Sequence, residues 1–137
     1  DNQDRFSEDS PARLMLFFDG DKGTLPAREQ MLMETARMLT GQELPFATLM
    51  YVWENRFEPE TLLRNTFTQQ VKMIVVGTGR DRIGTWKTFQ RNYVDDYRRA
   101  FGADPGRLVG IGIMTDTDNT GESVEAFYGD IVLKRSP

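Results

Sequence analysis

The sequence predicts a mainly β fold: a jelly-roll-like antiparallel β-sandwich with two helices. Short apolar strand patterns recur along the chain, the strand pattern at 46–53 is apolar on both faces, and helical spacing occurs in only two segments. A doubly wound parallel sheet would need a crossover helix between nearly every pair of strands. An α+β fold is the alternative.

The first strand is predicted at 13–18, where aromatic and aliphatic side chains follow a polar segment. Residues 1–11 are polar, and we expect them to be flexible. Glycine and aspartate recur at 19–23, a composition typical of a turn, so the strand ends there.

A helix is predicted directly after that turn. Pro26 suits a first helical turn and Gly41 suits a C-terminal stop. The side chains of Leu32, Ala36 and Leu39 fall on one stripe of this helix, with Met31 and Met38 beside it.

The centre of the chain predicts two buried strands. Neither face of 46–53 is very polar, as expected of a central strand that is covered on both sides. The apolar run at 71–76 predicts another buried strand, closed by a glycine-containing loop. The stretch at 55–69 reads as irregular, and 86–89 is a candidate short strand.

The last third predicts one helix and a strand pair. Apolar residues at helical spacing predict a helix over 93–101, which Asp104-Pro105-Gly106 ends. Apolar residues alternate with glycine over 109–113, an acidic loop follows at 116–123, and extended character resumes at 126–133.

Length and composition exclude several classes of function. The 137 residues suit one domain, 1–137. The chain has no histidine and no cysteine, which excludes most zinc and copper chemistry, Ser-His-Asp and Cys-His nucleophiles and disulfides. Its 17 basic and 21 acidic residues leave a net charge of −4 with no segregated basic run, so nucleic acid is not an expected partner. No apolar stretch approaches the ~20 residues of a membrane span.

Several motifs resemble the bacterial domain-of-unknown-function family 3047. They are Tyr51-Val-Trp53, the segment 91–102, and above all 113–121 together with Tyr128-Gly-Asp-Ile131. The resemblance covers about 11–133. It implies an exported protein, periplasmic or secreted, whose closing strands are similar to those of galactose-binding-like jelly rolls. Many such sandwiches bind sugars, and a calcium ion at a strand end.

The chain departs from that family pattern at two places. Family members usually carry a further half-sandwich ahead of the equivalent of Pro11, and their short connection leaves no room for a helix over 24–42. We therefore expect either the C-terminal part of a longer domain or a sandwich whose missing strands are supplied by a partner chain. The second alternative predicts a homo-oligomer or a strand-exchanged dimer.

The acidic loop is the candidate metal site. Asp116, Asp118 and Asn119 offer oxygen ligands, which a hard cation requires. An EF-hand would need glutamate where Phe127 stands, so that interpretation fails. A jelly-roll calcium site would use Asp116 or Asp118 with Asp130. The alternative is a loop whose side chains bond their own backbone.

The candidate ligand site combines this loop with two residues from elsewhere. Trp53 could stack on the apolar face of a pyranose ring, or it could simply pack in the core. Arg91 with Asp95 or Asp96 is either a helix-face ion pair or a hydrogen-bonding pair in a sugar pocket. The predicted ligand-binding residues are Trp53, Arg91, Asp116, Asp118 and Asn119.

The sequence favours binding over catalysis. Glu54 with Asp116 or Asp118 is the carboxylate pair that an enzyme would use, since glycoside hydrolysis needs two carboxyl groups about 5–10 Å apart. No catalytic residue is assigned, because no motif fixes that separation. We expect a non-catalytic module that binds a carbohydrate or similar polar ligand. The alternatives are a polysaccharide-active hydrolase or lyase and an assembly module completed by another chain.

Overall fold

A computed structural model describes residues 12–53, 56–77, 90–114 and 132–134 of the chain. In these ranges five strands form one mixed sheet, in the order β3-β4-β2-β1-β5, accompanied by two helices. The elements are, in chain order, β1 (Arg13–Phe18), α1 (Ala27–Thr40), β2 (Ala47–Trp53), β3 (Leu62–Arg64), β4 (Val71–Gly77), α2 (Tyr93–Phe101) and β5 (Leu108–Met114).

Strand direction gives the sheet two distinct ends. Strand β1 is antiparallel to β2 and to β5, β3 is antiparallel to β4, and β2 is parallel to β4. Strands β2, β4 and β5 therefore run in one direction. We call the end at which they finish the carboxyl end of the sheet, and the end at which they begin the amino end.

Local sequence signals account for both helices. The side chain of Asn92 accepts hydrogen bonds from the backbone N–H groups of Val94 and Asp95, which caps α2 at its start. Each helix ends at a glycine with a φ of 75°, Gly41 or Gly102, a conformation that other residues adopt at a cost. The two predicted helices are confirmed.

The main core lies between the sheet and α2. The rings of Phe18 and Tyr97 meet nearly edge to face at 4.8 Å between centroids, and the Tyr97 and Phe101 rings lie 4.5 Å apart. On the opposite face of the sheet, Val52 and Val75 are also buried. The predicted burial of β2 on both sides is confirmed, as is β4 as a second buried strand.

Two glycines in β5 explain its alternating pattern. A side chain at Gly112 would come within 2.9 Å of Met15, and one at Gly110 within 3.2 Å of Phe17. Both glycines thus leave room for large side chains of the neighbouring strand β1, while Ile111 and Ile113 project to the other face.

Two features of the structure were not predicted from the sequence. Strand β3 falls in the stretch predicted to be irregular, because three residues are too few to show a period. In α1 the apolar stripe lies largely in solvent: Leu39 is 80% exposed and Leu32 is 37% exposed. The buried residue of this helix is Glu29, which anchors its first turn.

The predicted fold class is confirmed at the level of a strand-rich chain with two helices, which is compatible with a mainly β or an α+β fold. The antiparallel arrangement does not extend to β2 and β4, which are parallel. The candidate strands at 86–89 and 126–131 and the segment 1–11 lie outside the described residues. The single-domain boundary and the missing strands stay predictions.

Candidate functional site

The carboxyl end of the sheet gathers residues that are distant in sequence. Tyr51 pairs with Ile74 of β4 and with Leu14 of β1, and Leu14 pairs in turn with Ile113 of β5. Beyond this row, β2 ends at Trp53, one residue before Glu54, and β5 ends at Met114, two residues before Asp116. Ligands of open sheets commonly bind where parallel strands end.

Arg91 is the centre of a charged cluster beside this row, which we call the Arg91 cluster: Tyr51, Glu60, Arg91, Asp96 and Arg99. The guanidinium binds the Glu60 carboxylate through two hydrogen bonds, of 2.6 and 2.9 Å. Two more, of 3.1 and 3.0 Å, go to Asp96. Arg91 thus makes four hydrogen bonds to these two carboxylates.

Asp96 ties the Arg91 cluster to the core. Its Oδ2 accepts a hydrogen bond of 2.6 Å from the Tyr51 hydroxyl, and both residues are buried. The Arg91 guanidinium also lies over the Tyr51 ring, 5.6 Å from the centroid. Burial raises the pKa of the Tyr51 hydroxyl far above its ordinary value, and the hydrogen bond to Asp96 raises it further.

Of the two predicted partners of Arg91, the structure selects Asp96. Arg91 precedes Asn92, the capping residue of α2, so the pair spans the start of the helix and does not lie along one helical face. Asp95 instead pairs with the exposed Arg98 at 3.3 Å. The contact between Arg91 and Asp96 therefore fixes the start of α2 against the sheet.

Glu60 holds an unusual backbone conformation. Its φ is 75°, in the left-handed region that favours glycine. Pro59 precedes it, and the Thr61 N–H donates to the Glu58 carbonyl at 3.2 Å, which together define a type II turn with glutamate at the usual glycine position. Such a conformation costs a side-chain-bearing residue about 1–2 kcal/mol.

Two arginines hold Glu60 in that conformation. The Arg99 guanidinium donates to the Glu60 backbone carbonyl, and Arg91 holds the carboxylate. The hydrogen bonds from Arg91 keep the pKa of the Glu60 carboxyl below its ordinary value. Sequence reasoning missed Glu60, because its partner lies 31 positions away and glutamate is not a turn signal.

In the Arg91 cluster the positive and negative charges balance, and hydrogen bonds hold the side chains in place. Two guanidinium groups face two carboxylates, the pKa of Glu60 is lowered and that of Tyr51 is raised. Neither Glu60 nor Tyr51 therefore changes protonation state near neutral pH. The cluster is therefore suited to holding the backbone in place at the carboxyl end of the sheet, and it is poorly suited to proton transfer.

Trp53 and Arg91 are the predicted site residues that the structure describes. Trp53 is half-buried and packs against the core as the last residue of β2. Its indole thus serves the packing role that the sequence left as one alternative, and it still presents surface at the carboxyl end.

The comparison with known families decides the affiliation. Residues 1–132 match the family model described as "Protein of unknown function (DUF3047)". The chain belongs to this family. The match confirms the resemblance seen in the sequence motifs, whereas the galactose-binding-like relationship stays a prediction. No curated protein and no solved structure matches the chain.

Other predicted features of this DUF3047 chain lie beyond the described ranges. Glu54, Asp116, Asp118, Asn119 and Asp130 are among the residues that the structure does not describe. Within the described ranges, no three carboxylates lie close enough to hold a metal ion. None of the helices in those ranges is long and apolar enough to cross a bilayer.

Proposed function

We propose that this DUF3047 chain is a non-catalytic module that binds a hydroxyl-rich polar ligand, such as a carbohydrate, at the carboxyl end of its sheet. The observation that carries this proposal is the shared direction of β2, β4 and β5, which end at the same edge of the sheet, with β1 between β2 and β5. Each strand then continues into a segment with residues suited to such a ligand: Glu54, the 77–79 glycines, and Asp116 to Asn119.

The described residues supply part of the required chemistry. Trp53 is half-buried at the strand end, where an indole can stack on the C–H face of a sugar ring. Beside it, the Arg91 guanidinium is held in place by four hydrogen bonds to Glu60 and Asp96. A receptor group that is already held loses little freedom on binding.

The charge state of the Arg91 cluster favours a binder over the hydrolase or lyase alternative. A general acid or base works best with a pKa near the working pH. The pKa of Glu60 is lowered and that of Tyr51 is raised, so both lie farther from neutral pH than usual. An enzyme would therefore depend on Glu54 with Asp116 or Asp118.

The test is a glycan array followed by titration with each retained glycan. Trp53→Ala should weaken binding about tenfold, equivalent to ~1.4 kcal/mol, and Trp53→Phe should recover part of the loss. Leu44→Ala, which removes an exposed apolar side chain three residues before the start of β2, is the matched control. Reducing-end and unsaturated-product assays run alongside: product formation overturns the non-catalytic claim, and an absence of any retained glycan overturns the binder.

Calcium and export belong to the same proposal. A calcium ion would be held by Asp116 or Asp118 with Asp130, and the protein would be periplasmic or secreted. If calcium binds, the melting temperature should rise with the logarithm of calcium concentration above the dissociation constant. A melting temperature unchanged between millimolar calcium and EDTA would rule the site out.

A second candidate, the assembly module, is favoured by one surface. Met31, Met38 and Leu39 of α1 are 70%, 74% and 80% exposed, although large apolar side chains gain free energy when they leave water. Self-association through α1 would bury them. Sedimentation should then show a dimer that Leu39→Glu dissociates, and a monomer at high protein concentration would contradict this candidate.

A further inference from the structure

A pocket rich in cations lies at the amino end of the sheet, away from the Arg91 cluster. It has a volume of about 320 Å³ and is lined by Arg28 of α1, Arg64 of β3, Lys72 of β4 and the polar turn over 65–69. This volume lies at the lower limit of the ~300–1,000 Å³ typical of small-molecule sites. Size alone thus admits a small ligand.

Two of these cations face each other directly. Arg64 and Lys72 are cross-strand partners in the β3–β4 ladder, so their side chains leave the same face of the sheet. Within the part of the chain that the structure describes, neither forms an ion pair with a carboxylate. Like charges directly opposite on neighbouring strands destabilise a sheet.

Lys72 is held in this unfavourable position. It is only 8% exposed, and its ammonium donates to the Gln69 carbonyl at 3.0 Å. Burial lowers the pKa of Lys72, and the charge of Arg64 lowers it further. The charge of Glu29 acts in the opposite direction and raises this pKa, but the two residues form no ion pair in the described ranges, so the ammonium can still pair with an added anion.

The nearby carboxylate of Glu29 does not neutralise the pocket. It accepts hydrogen bonds from the Thr68 hydroxyl and from the Gln69 N–H at 3.3 Å, and lies 3.5 Å from Arg28 Nη1. Glu29 thus holds the 65–69 turn against α1. Three cations against this one carboxylate leave the region positive within a chain of net charge −4.

We propose that this pocket binds a phosphate or sulfate group carried by a small molecule. A tetrahedral oxyanion accepts hydrogen bonds from a guanidinium fork and from an ammonium at once, which suits Arg64 and Lys72. The negative charge of the oxyanion attracts both Arg64 and Lys72 and so offsets the repulsion between them. The site is separate from the carboxyl end of the sheet, so it stands independently of the carbohydrate proposal.

The test is isothermal titration at low ionic strength with inorganic phosphate, inorganic sulfate, glucose 6-phosphate and glucose. The anions should bind the wild-type chain and glucose should not bind at this site. Arg64→Gln and Lys72→Met should each weaken phosphate binding by about tenfold or more, since each removes a charged hydrogen bond. Arg64→Lys should keep part of the affinity, because it retains the charge and loses the fork.

The matched control is Arg37→Gln, which removes one positive charge from the last turn of α1. Arg37 pairs with Glu34 at 2.6 Å and lies about 13 Å along the helix from Arg28. If it weakens phosphate binding as much as Arg64→Gln does, the attraction is general and the proposal is overturned. Failure of phosphate and sulfate to bind the wild-type chain also overturns it.

Two comparisons of affinity identify the kind of molecule that carries the oxyanion. Tighter binding of glucose 6-phosphate than of inorganic phosphate supports a phosphorylated small molecule. Tighter binding of sulfate than of phosphate supports a sulfate ester. Circular dichroism of Lys72→Met checks that this buried substitution leaves the fold intact, and the exposed Arg64 gives the same comparison without that risk.

Discussion

The two ends of the sheet carry charged clusters that differ in how fully carboxylates balance their positive charges. At the carboxyl end, Arg91 makes four hydrogen bonds to Glu60 and Asp96. At the amino end, Arg64 and Lys72 face each other, and neither forms an ion pair within the described ranges. Compensated charges hold the backbone in place, whereas uncompensated charges favour an anion from solution. The contrast assigns a structural role to the first cluster and a binding role to the second.

Removal of Asp96 should have the largest effect on stability. Asp96→Ala leaves the Tyr51 hydroxyl without its acceptor and part of Arg91 unpaired in a buried place. We expect a loss of roughly 3 kcal/mol in the free energy of unfolding, measured with urea. Asp95→Ala is the control, because the pair of Asp95 with Arg98 is exposed to solvent and contributes little to stability. Equal losses of stability in the two variants would show that the Arg91 cluster has no special structural role.

Substitutions at Glu60 separate backbone strain from the ion pair. Glu60→Gln and Glu60→Gly both weaken the contact with Arg91, but only glycine relaxes the φ of 75°. Glu60→Gly should therefore be more stable than Glu60→Gln by about 1 kcal/mol in urea unfolding. The reverse order would mean that the turn carries no strain and that the carboxylate is not needed to hold it.

The fold was largely predictable from the sequence because its main elements are long enough to show a period. Strands β1, β2, β4 and β5 have six or seven residues each, and both helices carry end signals. Strand β3 has three residues and shows no pattern. The apolar stripe of α1 was visible, but periodicity does not reveal which surface a helix meets, and Leu39 lies in solvent.

The charged clusters were less predictable because they depend on tertiary pairing. The sequence placed Arg91 beside two carboxylates and could not choose Asp96, since that choice depends on the buried Tyr51 hydroxyl. Glu60 reaches Arg91 across 31 positions. The opposition of Arg64 and Lys72 follows from the register of β3 with β4, which no local pattern specifies.

Low pH should also lower the stability of the fold through the Arg91 cluster, by less than the substitutions above. The pKa of Glu60 is lower in the folded chain than the ordinary value of 4.5, so its ionised form favours the fold. Its contribution is fully present above pH 4.5 and is lost as the pH falls through the folded-state pKa. Melting temperatures from pH 7 to pH 3 should fall more steeply for the wild type than for Glu60→Gln. Parallel curves would show that Arg91 does not stabilise this carboxylate.

The most direct test of the contrast compares the unfolding of Arg91→Gln and Arg64→Gln at pH 7 and low salt, with and without phosphate. Arg91→Gln should lose at least about 2 kcal/mol, because it breaks charged hydrogen bonds. Arg64→Gln should equal or exceed the wild type without phosphate, because it removes the repulsion with Lys72. Phosphate should stabilise the wild type and Arg91→Gln but not Arg64→Gln. A loss of stability in Arg64→Gln as large as that in Arg91→Gln would contradict the account.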